Sequence, residues 1–193
     1  RNEVLLYDIF TDQRRTLVKL TDVPLYLRQA TIAVEDKNFY KHKGFDPTGV
    51  LRAVWNIAIH QKLQGGSTLT QQLVKNVLLS SERTLPRKIR EFILSVQIER
   101  KYTKDEILQM YLNEAPYGGT AWGVETAAET YFGKSVKDLT LVEAVILAGL
   151  PQRPTVYSPY GTNPAAYIDR TAHVLKRMQE DGYISKEQES ESL

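Results

Sequence analysis

The stretch Gly65–Asn76, GGSTLTQQLVKN, decides how the rest of the chain is read. Two glycines free the backbone. Ser67 follows where a helix N-cap belongs, its oxygen placed to accept an N–H from the first turn. On the helix beyond it, Thr68, Gln71, Gln72 and Lys75 fall on one face, and Leu69, Leu73 and Val77 on another. A stripe of hydroxyl, amides and ammonium at the positive end of a helix dipole suits an anion such as a phosphate. The same pattern suits an ordinary amphipathic helix with a solvated polar face. The flanking sequence must separate the two.

Outward from this stretch, helical signals dominate. Asp22 as cap and Pro24 open a helix to about Tyr40, with Gly44 following. Asp46–Pro47 start a second, to about Leu63, and the third runs from Ser67 to about Leu79. Thr84–Pro86 begin a fourth that reaches Tyr102. Thr103 with Glu106 makes a capping box for a fifth, ending near Glu114. Residues 115–123 are loop, and a helix from Val124 stops at Gly133. Thr140 with Glu143 caps another, ended by Gly149–Leu150–Pro151. Residues 151–163 form a loop without periodicity. Asn163–Pro164 then start a long amphipathic helix that Gly182 ends, and Ser185 with Gln188 opens a last turn. Only residues 4–20 read as a short extended pair. The fold class is mainly α, with short connections and no repeats.

The totals set bounds. A chain of 193 residues holds one domain with a proper core, or two small lobes. The net charge of +2 points to no partner, but Arg83, Arg87, Lys88, Arg90, Arg100, Lys101 and Lys104 crowd one region. That cluster suits an anionic ligand or membrane surface, or simply a solvated helix face. Without cysteine, disulfides and thiolate metal sites are excluded. No run approaches the ~20 apolar residues of a membrane span. The chain opens on Arg1–Asn2 with no initiator Met or signal peptide, so a fragment of a longer protein, cut from its anchor, is expected. The second helix carries Val50, Leu51, Val54, Trp55, Ile57, Ala58 and Ile59 around most of its circumference. It is either central to the core or lies against something apolar outside, where Trp55 suits a bilayer interface.

Two carboxylates stand out. Glu35 lies late in the first helix, on a face with Phe39 and His42. A carboxylate beside an aromatic, among Ala and Val residues, can have a raised pKa and serve as acid or base. The competing reading is an exposed surface Glu–Asp pair. Glu91 lies on the fourth helix, opposite the apolar stripe Ile89, Phe92, Ile93 and Val96 and one turn beyond Arg87. It is either an ordinary i, i+4 ion pair or a carboxylate held among cations that engage a charged substrate. Two carboxylates on separate helices with a phosphate-suited third suit glycosyl transfer from a phosphate-activated sugar. No alternating strand–helix pattern, GxxxxGK[ST], HExxH or GxSxG is present. The interrupted basic region is a poor reader of bases.

The ordered motifs resemble those of the family 51 glycosyltransferases, the peptidoglycan glycosyltransferase domain of class A penicillin-binding proteins and of monofunctional transglycosylases. The first, Glu-Asp-x-x-Phe-x-x-His-x-Gly, stands at Glu35–Gly44, and the second is Gly65–Asn76. The third, Arg-Lys-x-x-Glu, is Arg87-Lys88-Ile89-Arg90-Glu91. The fourth is Ile107-Leu108 with Tyr111-Leu112-Asn113. The fifth is the run from Gly123 through Ala127-Ala128 to Tyr131-Phe132-Gly133-Lys134. Trp122 departs from the Tyr expected before the glycine.

The resemblance, from about Pro24 to Gly182, implies a lysozyme-like two-lobed helical domain over residues 23–193, behind an extended segment 1–22. It implies lipid II as substrate, Glu35 as general base, and Glu91 as a second catalytic carboxylate and metal ligand for Mg2+ or Mn2+. Substrate-binding positions implied are Asp36, Phe39, His42, Arg52, Gly66, Ser67, Thr68, Gln72, Lys75, Asn76, Arg83, Arg87 and Lys88. It further implies a membrane surface met through region 46–64, the outer face of the bacterial cytoplasmic membrane, and a transpeptidase domain in a longer parent. The competing classes are a lysozyme-like hydrolase or lytic transglycosylase with Glu35 as acid, and a non-enzymatic lipid- or cell-wall-binding domain.

Overall fold

The computed structural model describes residues 16–45, 66–79, 84–161, 163 and 165–193. The expected second helix with Trp55 and Arg52, Gly65, Arg83, and residues 1–15 of the extended segment lie outside the described residues. Helices α1 (Leu25–Glu35), α2 (Leu69–Leu78), α3 (Leu85–Lys101) and α4 (Lys104–Glu114) are followed by a small antiparallel hairpin. Its strands are β1 (Pro116–Gly118) and β2 (Ala121–Trp122), with Pro116 opposite Trp122 and Gly118 opposite Ala121. Then come α5 (Val124–Phe132), α6 (Leu141–Gly149), α7 (Pro154–Tyr157), α8 (Ala165–Glu180) and α9 (Lys186–Glu191).

Local chemistry sets most helix starts. Thr68 with Gln71, Thr103 with Glu106, Thr140 with Glu143 and Ser185 with Gln188 each form a reciprocal capping box. Thr84 caps α3, its hydroxyl accepting from Arg87 N. Gly133, at φ 68°, ends α5 in the left-handed region.

Several sequence expectations are corrected. Ser67 is not the cap of α2; Thr68 is. Asp22 does not cap α1. It lies in a 3-10 turn, Leu20–Asp22, and Pro24 takes the N-cap position without a side-chain bond. Helix α1 stops at Glu35 rather than Tyr40, because Asp36 turns out of the helix toward α2. The 115–123 loop contains the hairpin, and the 151–163 loop contains α7. Residues 16–19 are irregular, and side chains receive their backbone. Thr16 N donates to Thr126 Oγ1, Val18 N to Asn113 Oδ1 and Leu20 N to Gln109 Oε1, while Asn113 Nδ2 donates back to Val18 O.

Packing falls into two groups. Helices α1, α6 and α8 pack on one another, and α2 packs on α3 and α4. One apolar cluster runs through both, from Leu27 and Phe39 through Leu69, Leu108 and Tyr111 to Leu147, Val174 and Met178. Helix α3 reverses the expected burial. Its apolar residues Leu85, Ile89, Phe92 and Ile93 are exposed, whereas Glu91 and Ser95 are buried. The periodicity is helical as read, but the polar face is the one turned toward protein.

Candidate active site

The junction between α1 and α2 is built from the first motif. Asp36 is buried, and its Oδ2 accepts from Leu69 N, at the N-terminus of α2, at 2.9 Å. His42 Nε2 lies 3.0 and 2.9 Å from the two Asp36 oxygens. Gly44 N donates to His42 Nδ1, which leaves the ring proton on the nitrogen facing Asp36. Gly44 O in turn accepts from the Thr68 hydroxyl at 3.1 Å. The positive end of α2 is thus already satisfied by the protein's own carboxylate and caps. Phe39 is fully buried beneath the turn, with Lys104 Nζ 4.5 Å from its ring centroid. Asp36, Phe39, His42 and Thr68 therefore form a buried frame.

That frame fixes Glu35 at the last position of α1. Its side chain is 7% exposed, with Oε1 accepting from Arg170 Nη2 at 3.0 Å and Oε2 from Gln72 Nε2 at 2.9 Å. The Tyr111 hydroxyl donates to Gln72 Oε1 at 3.4 Å, so the Gln72 amide joins a buried phenol to the carboxylate. Burial pushes the Glu35 carboxyl above its ordinary range, and Asp36 adds to this; Arg170, Gln72 and Lys75 pull the other way. The buried Tyr111 and Tyr117 hydroxyls are pushed up by desolvation and by the Glu35 charge, and stay neutral.

The second carboxylate is enclosed by cations. Glu91 is buried, with Arg87 Nη1 donating to Oε2 at 3.1 Å and Lys88 Nζ to Oε1. Lys88 Nζ also donates to Ser67 Oγ at 2.8 Å, which ties α3 to the start of α2. Arg87 Nε is buried without a hydrogen-bond partner among the described residues. Lys75 is exposed, yet neighbouring protein partly desolvates its ammonium and lowers its pKa. Glu91 and Glu35 draw it back up, and Arg87 and Lys88 oppose them. Lys75 is thus electrostatically coupled to both carboxylates.

Of the sequence-predicted site residues, Glu35, Gln72, Lys75, Glu91, Arg87, Lys88 and Ser67 are linked by these bonds and couplings. Gly66, two residues before the cap of α2, and Asn76, within the helix, are half-buried. Arg52 and Arg83 lie outside the described residues. Both Glu91 oxygens are taken by cations, and no group of three or more His, Cys, Asp or Glu gathers among the described residues.

Sequence reasoning missed Arg170 and gave no role to Tyr111 or Tyr117. A signal for Arg170 existed. Its spacing from Val174 and Met178 puts a guanidinium in the apolar stripe of α8.

Comparison with known proteins defines the class. The transglycosylase family model matches residues 2–179, and the chain belongs to that family. It is 45% identical over 194 residues to penicillin-binding protein 1A of Clostridium botulinum, covering 96% of this chain and 24% of that protein. It is 45% identical over 189 residues to penicillin-binding protein 1A of Aquifex aeolicus, covering 97% of this chain and 26% of the other. The chain spans about a quarter of the length of these relatives. The crystal structure of penicillin-binding protein 1A from Haemophilus influenzae matches with a TM-score of 0.56 at 30% identity. That match covers 94% of this chain and 18% of the other. The fold is accordingly mainly helical and lysozyme-like, and the domain is of the glycosyltransferase class.

Proposed function

We propose that this domain polymerises lipid II into peptidoglycan glycan strands, with Glu35 as general base. The observation that carries the reading is the Glu35 carboxylate itself: desolvated, oriented by Arg170 and Gln72, and made more basic by its burial. Glu35 takes the proton from the 4-hydroxyl of the acceptor N-acetylglucosamine. That oxygen bonds to C1 of the donor N-acetylmuramic acid with inversion, as the bond from C1 to the pyrophosphate oxygen breaks. The undecaprenyl pyrophosphate leaves with the bonding pair. The ammonium of Lys75, with the Arg87 and Lys88 cations beside it, suits its negative charge. Glu91 keeps Arg87 and Lys88 in place.

A cleaving enzyme with Glu35 as acid is the competing reading, since a raised carboxyl also suits an acid. The cation cluster around Lys75 favours a phosphate-bearing leaving group instead. The exposed apolar stripe Leu85, Ile89, Phe92 and Ile93 supports docking on a membrane surface, where the lipid of such a substrate resides. By analogy with the longer relatives, the parent protein carries a penicillin-binding transpeptidase domain and works on the outer face of the bacterial cytoplasmic membrane.

The test is product formation from purified lipid II. Glu35→Gln is expected to lower polymerisation by about 10²- to 10⁴-fold with the fold intact. Near-normal polymer from this variant sinks the base assignment. Release of muropeptides from preformed glycan by the unmodified protein overturns the polymerase reading.

A further inference from the structure

We infer that Arg170 is a positioning residue for Glu35, fixing the orientation and charge of its carboxylate from 135 residues further along the chain. The inference rests on Glu35 being the base. Arg170 is 7% exposed, and its guanidinium is held by other elements. Nη2 donates to Glu35 Oε1 at 3.0 Å, and Nε donates to Gly149 O, at the end of α6, at 3.2 Å. The Tyr157 ring of α7 lies 5.4 Å from the guanidinium carbon. Gly149 makes the passage possible, since a Cβ there would stand 2.9 Å from Arg170 Cγ. The guanidinium is therefore set in place independently of the carboxylate it serves.

Helices α1 and α8 already share an apolar core, so their packing does not explain a buried cation between them. What Arg170 adds is specific to Glu35. The groups acting on that carboxylate are Gln72 and Lys75 from α2, Asp36 beside it, Tyr111 from α4 and Tyr117 from β1. Of the two cations, Arg170 alone bonds it directly, whereas Lys75 acts at longer range. Without Arg170, burial and Asp36 oppose ionisation against only Gln72 and Lys75. Glu35 would then keep its proton to higher pH and lose one of its two anchors.

The experiment is the pH dependence of lipid II polymerisation in Arg170→Met and Arg170→Lys, with far-UV circular dichroism to verify the fold. In Arg170→Met the acid limb of kcat/KM moves up by about 1–3 pH units, the shift expected on losing an adjacent opposite charge. KM on the alkaline side of that limb stays near the unmodified value. Arg170→Lys keeps the charge but cannot bond Glu35 and Gly149 together. Its limb stays in place while kcat falls by about 10-fold or more, because the carboxylate is less well oriented. A folded Arg170→Met with an unmoved acid limb overturns the inference. So does an Arg170→Lys with unchanged kcat, and that result decides the matter if Arg170→Met does not fold. If instead Glu35→Gln polymerises normally, the base assignment fails whatever the Arg170 variants do.

Discussion

The Asp36 carboxylate accepts the backbone N–H of Leu69 at 2.9 Å and thereby holds the start of α2 against the end of α1. The carboxylate also faces His42 Nε2, so one buried anion satisfies a helix terminus and an imidazole. Asp36→Ala leaves both without a partner and is expected to cost roughly 3 kcal/mol of stability. Asp36→Asn retains an acceptor and should lose less. Urea unfolding followed by circular dichroism checks this. A loss under about 1 kcal/mol in Asp36→Ala would reduce the contact to an ordinary helix cap.

Gly44 and Gly133 separate backbone strain from steric clash. Gly44 has φ +85°, and a Cβ there would stand 2.9 Å from Ser95 O on α3. Gly133 has φ +68° with open space around it. Gly133→Ala should therefore cost about 1 kcal/mol, from conformation alone. Gly44→Ala should cost roughly 3 kcal/mol or more, because the clash with backbone adds to it. Equal losses in denaturant unfolding would show that α3 yields freely and that the close approach is not fixed.

Lys75 sets a second pH dependence. Desolvation lowers its pKa from the ordinary 10.5, so it sheds its positive charge at lower pH than a free lysine as pH rises. Engagement of the pyrophosphate should fall through that lowered pKa and produce an alkaline limb in kcat/KM. Arginine keeps its proton to beyond about pH 12. In Lys75→Arg the alkaline limb should therefore move up or vanish, even where the maximal rate is reduced by altered geometry. Rates measured from about pH 7 to about pH 10.5 test this, and an unmoved limb assigns the loss to another group.

Elements coded by adjacent residues were legible in the sequence. The capping boxes Thr103–Glu106, Thr140–Glu143 and Ser185–Gln188 need only a hydroxyl and a carboxylate or amide three residues apart. Distant partners decide the other element ends. Ser67 and Thr68 are equivalent caps locally. The choice falls on Thr68 because Gly44 O receives its hydroxyl and Asp36 takes the next N–H. No local stop marks the end of α1 at Glu35; Asp36 leaves the helix for a donor 33 residues away.

The faces of α3 show the same limit. Periodicity tells that Ile89, Phe92 and Ile93 share a stripe, but not which stripe meets the protein. At the candidate site, the resemblance of the ordered motifs singles out Glu35 and Glu91, whereas Arg170 lies in none of those motifs, and its place in the apolar stripe of α8 tells only that it is buried. Its meaning depends on α6, α7 and α8 converging on the end of α1.

Gln72 presents an amide and Arg170 a guanidinium to Glu35, and neither takes up a proton near neutrality. The Tyr111 phenol stands behind the amide, on Gln72 Oε1, rather than on the carboxylate. A proton captured by Glu35 thus finds no wire into the interior through either partner. Among the described residues, the exit left to it is the side from which it came. In the proposed reaction each cycle then contains a resetting step, the discharge of Glu35 toward solvent, before the next sugar hydroxyl can be activated.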